Sequence, residues 1–289
     1  MKALAPRTVQ SFRREIVRYF ERSGRDFPWR RTRDSYKIFI SEVMLQQTQT
    51  DRVLKKYGLF LRMFPDWRAL AAASLRKILF AWQGLGYNRR ALALKRAAEK
   101  VIKEWNGDLP SSIETLGTLP GIGPATASAV AAFAFNAPAV FIETNIRAVF
   151  IRFFFKRKKH VRDDEILPFI AQTLDRYNPR RWYWALMDYG AMLKKKYPNL
   201  SHRSAGYRTQ SRFRGSRREL RGMIIRKLIT SSRSESELAR KLMQDWSHGR
   251  HDRGESLKMV EGRIISLVAE LQKEGLVKRI GRRLAIASH

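Results

Sequence analysis

Helical periodicity runs from residue 7 to about residue 193 with almost no β-like alternation, and this limits the possible folds more than any other feature of the chain. Phe12, Ile16, Tyr19 and Phe20 make one apolar stripe on an opening helix over 7–21, with basic residues around it. A turn-rich stretch over 23–35 holds Phe27, Pro28 and Trp29, of which Trp29 is assigned to core packing. Helices are expected over 36–48, 51–64, 67–73 and 75–82. Gly84 and Gly86 break the chain before a helix over 88–105. An apolar helical hairpin, 113–119 and 125–135, comes next, and a further helix begins near Thr144. The expected fold class is all-α.

The composition changes after Leu193. Between Lys194 and Lys227 there are twelve Lys or Arg and one acid, Glu219, while Pro198, Gly206 and Gly215 interrupt any helix before about Ser216. This reads as a basic linker over 194–215 leading into a second domain. Helices are expected over 217–231, 235–246 and 257–274, with Gly275 as a stop and short strands at 276–280 and 283–286. Three helices closed by a hairpin suggest a small winged helix-turn-helix domain over 216–289, for which DNA contact, protein docking and dimerisation are the alternatives.

Across the whole chain, 58 Lys and Arg against 26 Asp and Glu give a net charge of +32, while 44% of residues are hydrophobic. A folded cation of this size attracts polyanions, with nucleic acid ahead of an anionic membrane surface. There is no cysteine, which excludes disulfides, thiolate metal sites and a Cys nucleophile. Residues 1–6 lack the apolar run of a signal peptide, and no later stretch reaches the roughly 20 apolar residues of a membrane span. A cytoplasmic protein that does not engage membranes is expected.

Four segments carry candidate chemistry. Leu119-Pro-Gly-Ile-Gly-Pro-Ala-Thr-Ala127 places Gly121 and Gly123 in a tight turn before a helix that opens on Pro124, where exposed backbone N–H groups can hold a phosphate oxygen. By itself this is also the turn of an ordinary helical hairpin. Its companions are Ser41-Glu-Val-Met-Leu-Gln-Gln-Thr48, Gly84-Leu-Gly-Tyr87 and Glu143-Thr-Asn-Ile-Arg147. In this order and at these spacings, residues 24–193 resemble the helix-hairpin-helix DNA glycosylases, and specifically the A/G-specific adenine glycosylase (MutY-like) branch, with endonuclease III and the thymine mismatch glycosylases as cousins. The fold implied is that of a helix-hairpin-helix glycosylase in two helical lobes, occupying residues 1–193. The implied partner is double-stranded DNA, bound by a nucleoid-associated monomer in base excision repair.

Glu42 shares a helix face with Ile38, Leu45 and Gln46, so apolar and neutral neighbours should raise its pKa. The resemblance makes it the general acid that protonates the departing base. Glu143 takes the place of the carboxylate facing the sugar as positive charge develops. The family has Asp there, so Glu143 is a departure whose extra methylene moves the charge by about a bond length. It could equally serve only to favour the following helix N-terminus. Ala125 stands where glycosylases that cleave the backbone carry a Schiff-base Lys, which implies no AP-lyase activity. Gln46 and Tyr87 match the family's intercalating residues, and Gln47 and Asn145 are grouped with them at the base pocket. Gly121, Gly123, Thr126, Arg147 and Lys194 to Lys196 are the expected DNA contacts.

Two further departures stand out. Asp188-Tyr-Gly-Ala-Met192 matches the run that precedes four cluster-binding cysteines in the family, but Leu193, Lys194, Lys195, Lys196 and Tyr197 follow. No iron–sulfur cluster and no metal site is expected, although the hairpin loop admits a monovalent cation. The family's 8-oxoguanine-sensing C-terminal domain is also replaced. The leading expectation is a monofunctional glycosylase acting on adenine opposite G or 8-oxoguanine. The alternatives are a thymine, uracil or other purine mismatch glycosylase, and a non-catalytic binder of DNA structure.

Overall fold

The computed structural model describes residues 3–210, 212–248 and 257–288. Ser211 of the basic stretch and residues 249–256 of the C-terminal region, like residues 1–2 and 289, lie outside the described residues. In chain order the helices are α1 (Pro6–Ser23), α2 (Ser35–Leu45), α3 (Thr50–Met63), α4 (Trp67–Ala72), α5 (Leu75–Trp82), α6 (Arg89–Trp105), α7 (Ile113–Leu116), α8 (Pro124–Phe135), α9 (Thr144–Phe154), α10 (Asp163–Thr173) and α11 (Pro179–Lys196). After them come α12 (Arg217–Thr230), β1 (Arg233–Ser234), α13 (Glu235–His248), α14 (Leu257–Lys273), β2 (Val277–Ile280) and β3 (Arg283–Ile286). Two compact units form: residues 1–42 with 109–209, and residues 43–108 with 210–289.

In the first unit, α9 and α11 make the central pair, and α1 packs on α11. The core is aromatic. Phe12 lies 5.4 Å from Phe150 and 5.8 Å from Trp182 between ring centroids, and both its neighbours are fully buried. Pro at the first position starts α8 and α11, where its missing N–H costs nothing. Helix α8, rich in Ala, is buried along nearly its whole length. The chain runs helically to Lys196, so Lys194 to Lys196 form the basic last turn of α11 instead of opening a linker. Cations at a helix C-terminus favour that extension.

Asp188 ties the turn before α2 to α11. Its carboxylate is buried, with the side chain 1% exposed, and it accepts from Arg25 N (2.7 Å), Arg25 Nε (2.7 Å), Arg30 Nη1 (2.8 Å) and Arg30 Nη2 (2.8 Å). Burial pushes this carboxyl up, but the Arg30 and Arg25 donors outweigh it and hold Asp188 below the usual carboxylate range.

In the second unit, α4 and α5 pack on α6 over Phe60, Phe64, Trp82, Leu94 and Val101. Asp66 and Ser74 cap α4 and α5, accepting from Ala69 N (2.8 Å) and Lys77 N (3.3 Å). The C-terminal segment builds its own core from Leu220, Ile224, Leu228, Leu242, Leu267 and Leu284. Its antiparallel sheet has the order β1-β3-β2, with Val277 opposite Ile286 and Ile280 opposite Arg283. The two-residue β1 is too short for any alternation to announce it. Within this unit Arg76 of α5 donates to Ile229 O (2.5 Å) and Thr230 O (2.6 Å), satisfying carbonyls at the end of α12.

Asp188→Ala leaves two guanidiniums facing a site without their anion and should lower unfolding free energy by about 3–5 kcal/mol, as for other broken buried pairs. Urea denaturation measures this, and a loss below about 1 kcal/mol would show that the pairs do not hold the turn in place.

Candidate active site

Glu143 precedes α9 with extended backbone (φ −133°, ψ 176°) and caps that helix with its own carboxylate. Oε1 accepts from Asn145 N (2.8 Å) and Ile146 N (2.9 Å), and Oε2 accepts from Asn145 Nδ2 (3.2 Å). The helix-terminus role open to Glu143 from the sequence is therefore filled. Three donors also fix both carboxylate oxygens in space, which a positioned negative charge requires.

Glu42 lies in α2 among the buried residues Ile38, Phe39, Ile40, Val43 and Met44. Part of its surface stays open, yet protein surrounds it on most sides. Burial raises its pKa to about 8, with the negative charge of Glu143 adding to the shift and Arg30 partly offsetting it. Glu42 and Glu143 are thus electrostatically coupled, and at neutral pH Glu42 is mostly protonated. The apolar face seen in the sequence accounts for the larger contribution. The buried Arg30, whose side chain is 8% exposed, was not singled out in the sequence and is positioned by Asp188.

In the second unit the chain turns sharply at Gln47 (φ +52°) and again at Tyr87 (φ +48°). Left-handed backbone at a non-glycine residue is costly and persists only where the surroundings impose it. Arg90 imposes it here. Its Nη1 donates to Val43 O (2.8 Å) and Met44 O (2.9 Å), and its Nη2 to Thr48 Oγ1 (2.8 Å), Leu85 O (3.1 Å) and Gly86 O (3.2 Å). The guanidinium lies 5.6 Å from the Tyr87 ring centroid, and its burial lowers its pKa to about 10, so it remains charged. The backbone on either side of Gln46 and Gln47 and just before Tyr87 is therefore held by one residue that the sequence hid among Arg89, Lys95 and Arg96. The Tyr87 hydroxyl also accepts from Gln210 Nε2 and lies 3.4 Å from Arg218 Nη1.

The hairpin turn forms as expected. Gly121 has φ +78°, a conformation side chains resist, and a Cβ on Gly123 would meet nothing within 4 Å. Both glycines and Ala125 are exposed, and Thr126 is half-buried. Arg147, expected on DNA, is paired with Asp163 through Nε (2.6 Å) and Nη2 (2.7 Å). Lys195 and Lys196 are exposed, whereas Lys194 Nζ donates to Asn145 Oδ1 (3.1 Å). Trp29 is buried and stacked on Phe27.

A thiolate-bound cluster does not fit after α11, where the chain offers no cysteine. That segment is closed onto the loop after α9 by hydrogen bonds. Arg203 donates to Phe155 O and Lys158 O, Val161 N donates to Arg203 O (2.8 Å), and Ala205 N to Val161 O (2.9 Å).

Residues 40–167 match the model of the HhH-GPD superfamily base excision DNA repair proteins. An adenine DNA glycosylase of Mycolicibacterium smegmatis is 35% identical over 229 residues, covering 73% of this chain and 78% of the relative. The chain belongs to the HhH-GPD superfamily. The adenine DNA glycosylase of Buchnera aphidicola subsp. Baizongia pistaciae is 33% identical over 64% of this chain, and the match covers 54% of that protein. The human adenine DNA glycosylase is 37% identical over 50% of this chain and 28% of its own length. The chain therefore spans about half the length of the Buchnera relative and under a third of the human one. Among solved structures, a thermostable thymine-DNA glycosylase is similar with a TM-score of 0.58 at 26% identity, covering 64% of this chain and 87% of that one. An endonuclease III trapped on DNA gives 0.53 at 19% identity over 73% of this chain, a likeness of fold. The helix-hairpin-helix glycosylase fold expected for this HhH-GPD chain is thus present. No helix among the described residues is long and apolar enough to cross a membrane.

A raised folded-state pKa means that stability falls as pH rises from about 4.5, where the unfolded carboxyl ionises, to about 8, where Glu42 does. Glu42→Gln removes that cost. Its melting temperature should exceed the parent's by a few degrees at pH 9 and match it near pH 4. Equal curves at pH 9 would mean that Glu42 ionises freely.

Proposed function

We propose that the chain is a monofunctional DNA glycosylase that hydrolyses the N-glycosidic bond of adenine flipped out of a mismatch with G or 8-oxoguanine, in base excision repair. The observation that carries this reading is the coupled carboxyl pair, with Glu42 raised to about 8 beside the fixed carboxylate of Glu143. Glu42 donates its proton to a ring nitrogen of adenine, so the base departs neutral when the bond to C1′ breaks. Glu143 faces the positive charge that develops on the sugar. Water then supplies the hydroxyl to C1′, and its proton returns to a carboxylate. Asn145 completes the pocket beside Glu143.

Gln46, Gln47 and Tyr87, on backbone held by Arg90, fill the space left in the base stack. Gly121, Gly123 and Thr126 offer the hairpin amides to a phosphate, and Lys195 and Lys196 add charge to the backbone contact. Ala125, at the start of α8, cannot form a Schiff base, which supports hydrolysis without strand cleavage. The elements α12 to β3 support a winged-helix reading of residues 216–289, reached through the basic stretch 194–215 and gripping the duplex. The protein works as a monomer on duplex DNA in the nucleoid, without an iron–sulfur cluster or other metal. The likeness to a thymine-DNA glycosylase keeps thymine, with uracil and other purines, as a second reading of the excised base.

A duplex panel with every single mismatch, 8-oxoguanine, uracil and hypoxanthine, assayed for alkali-labile sites, tests the substrate. Adenine release should be flat below and fall above a pH of about 8, as Glu42 loses its proton. Glu42→Gln should abolish release while binding survives, and borohydride should trap no covalent adduct. If the panel yields no base release at all, the chain is a binder of DNA structure, and a trapped adduct would end the monofunctional reading. Deleting residues 200–289 should weaken binding and flatten its salt dependence, whose slope is roughly −0.9 per phosphate contact.

A further inference from the structure

We infer that Lys194 is a positioning residue for Glu143, acting through the side-chain amide of Asn145. The inference rests on the catalytic role proposed for Glu143 and gives Lys194 a task other than DNA contact. The atoms form a continuous line: Lys194 Nζ donates to Asn145 Oδ1 (3.1 Å), and Asn145 Nδ2 donates to Glu143 Oε2 (3.2 Å). The amide can face only one way. An ammonium group has donors alone and must take the amide oxygen, and an ionised carboxylate has acceptors alone and must take the amide nitrogen.

The need for such a line follows from the side chain it serves. Glu has one more rotatable bond than Asp, so the same backbone position leaves its carboxylate less determined. Two backbone amides, Asn145 N and Ile146 N, hold Oε1 alone. Rotation about that anchored oxygen is stopped by the third donor on Oε2, and this donor is itself held by Lys194. A cation on the far side of the amide also polarises it, strengthening the hydrogen bond to the carboxylate.

The fold is shaped to let Lys194 reach. Gly190 lies one turn earlier on the same face of α11, and a Cβ there would sit 2.1 Å from Asn145 O and 2.6 Å from its carbonyl carbon. Only glycine allows α11 this close to the start of α9. Lys194 is half-buried in that contact, unlike Lys195 and Lys196, which are exposed. An ammonium that served only to attract DNA would gain nothing from being turned inward onto a neutral amide.

The test uses the full chain and the variants Lys194→Met, Lys194→Arg, Glu143→Gln and the Lys194→Met/Glu143→Gln pair. Single-turnover adenine release at saturating enzyme should fall roughly tenfold in Lys194→Met, the effect of one charge-assisted hydrogen bond working through an intermediary, while affinity for a duplex with a hydrolysis-resistant 2′-fluoro adenosine changes less than about twofold. Lys194→Arg should recover part of the rate. In the Glu143→Gln background, Lys194→Met should add no further loss, since both changes disable one unit. Weakened binding with an unchanged saturated rate, or losses that multiply in the double variant, would overturn the inference and return Lys194 to backbone contact. If the parent releases no base, the proposed activity fails, and the ¹⁵N–¹H signals of the Asn145 side chain still decide the matter. They should shift in Lys194→Met and remain near the parent's in Lys194→Arg, with melting curves confirming that both variants fold. Asn145 signals unmoved by Lys194→Met would refute the link.

Discussion

The first N–H groups of α9 must find acceptors, and Glu143 provides one with the same carboxylate proposed to face the sugar. This places the site under the control of the fold. A charge on a mobile side chain would pay reorganisation at each turnover, whereas one locked to backbone amides is in place beforehand. The second carboxyl answers to the first. Glu42, already disfavoured as an anion by burial, is raised further by the negative charge of Glu143, so the position of one carboxylate helps keep the other group protonated. Acid and anion thus arise from two environments of one residue type.

Arg30 moderates this arrangement. Its charge opposes the rise in the Glu42 pKa, but its Nη donors are both committed to Asp188. The guanidinium is spent largely on the Asp188 carboxylate, and Glu42 feels only what remains. Burial and the charge of Glu143 outweigh Arg30, so the Glu42 pKa stays raised. The ion pair that anchors the turn before α2 thus also fixes the position of a cation that acts on Glu42 against its raised pKa.

Most helices were legible because their apolar residues repeat at the helical period, and α5 matches its expected span of 75–82. The hairpin was legible from two glycines and a proline. Glu42 could be reached from its apolar neighbours, because burial is the main cause of its shift. What escaped was held by contacts distant in sequence. Arg90 looks like part of a solvated basic face until its five acceptors are seen, and the left-handed turns beside it at Gln47 and Tyr87 involve residues with no special liking for that conformation. The sequence offers Arg147 as a DNA contact through its place in the family motif and Lys194 through the basic run after α11, and neither signal contains the partners Asp163 and Asn145. Charge patterning cannot tell an arginine facing phosphate from one facing Asp163 sixteen residues away.

The segment after α11 shows how a chain without thiolates can finish this domain. Arg203 closes it by donating to two carbonyls in the loop after α9, and a short parallel bridge between Val161 and Ser204 holds it there. Those bonds are directional and numerous, and together they fix the loop against the end of α9. They also leave the last turn of α11 free to pack against the start of α9. Lysine at position 194 uses that freedom: its stem lies in the contact opened by Gly190, and its charge ends on the amide that orients Glu143. The longer carboxylate at 143, the glycine at 190 and the lysine at 194 then form one physical solution, in which the extra rotation of Glu is removed by an amide donor that the lysine holds in place.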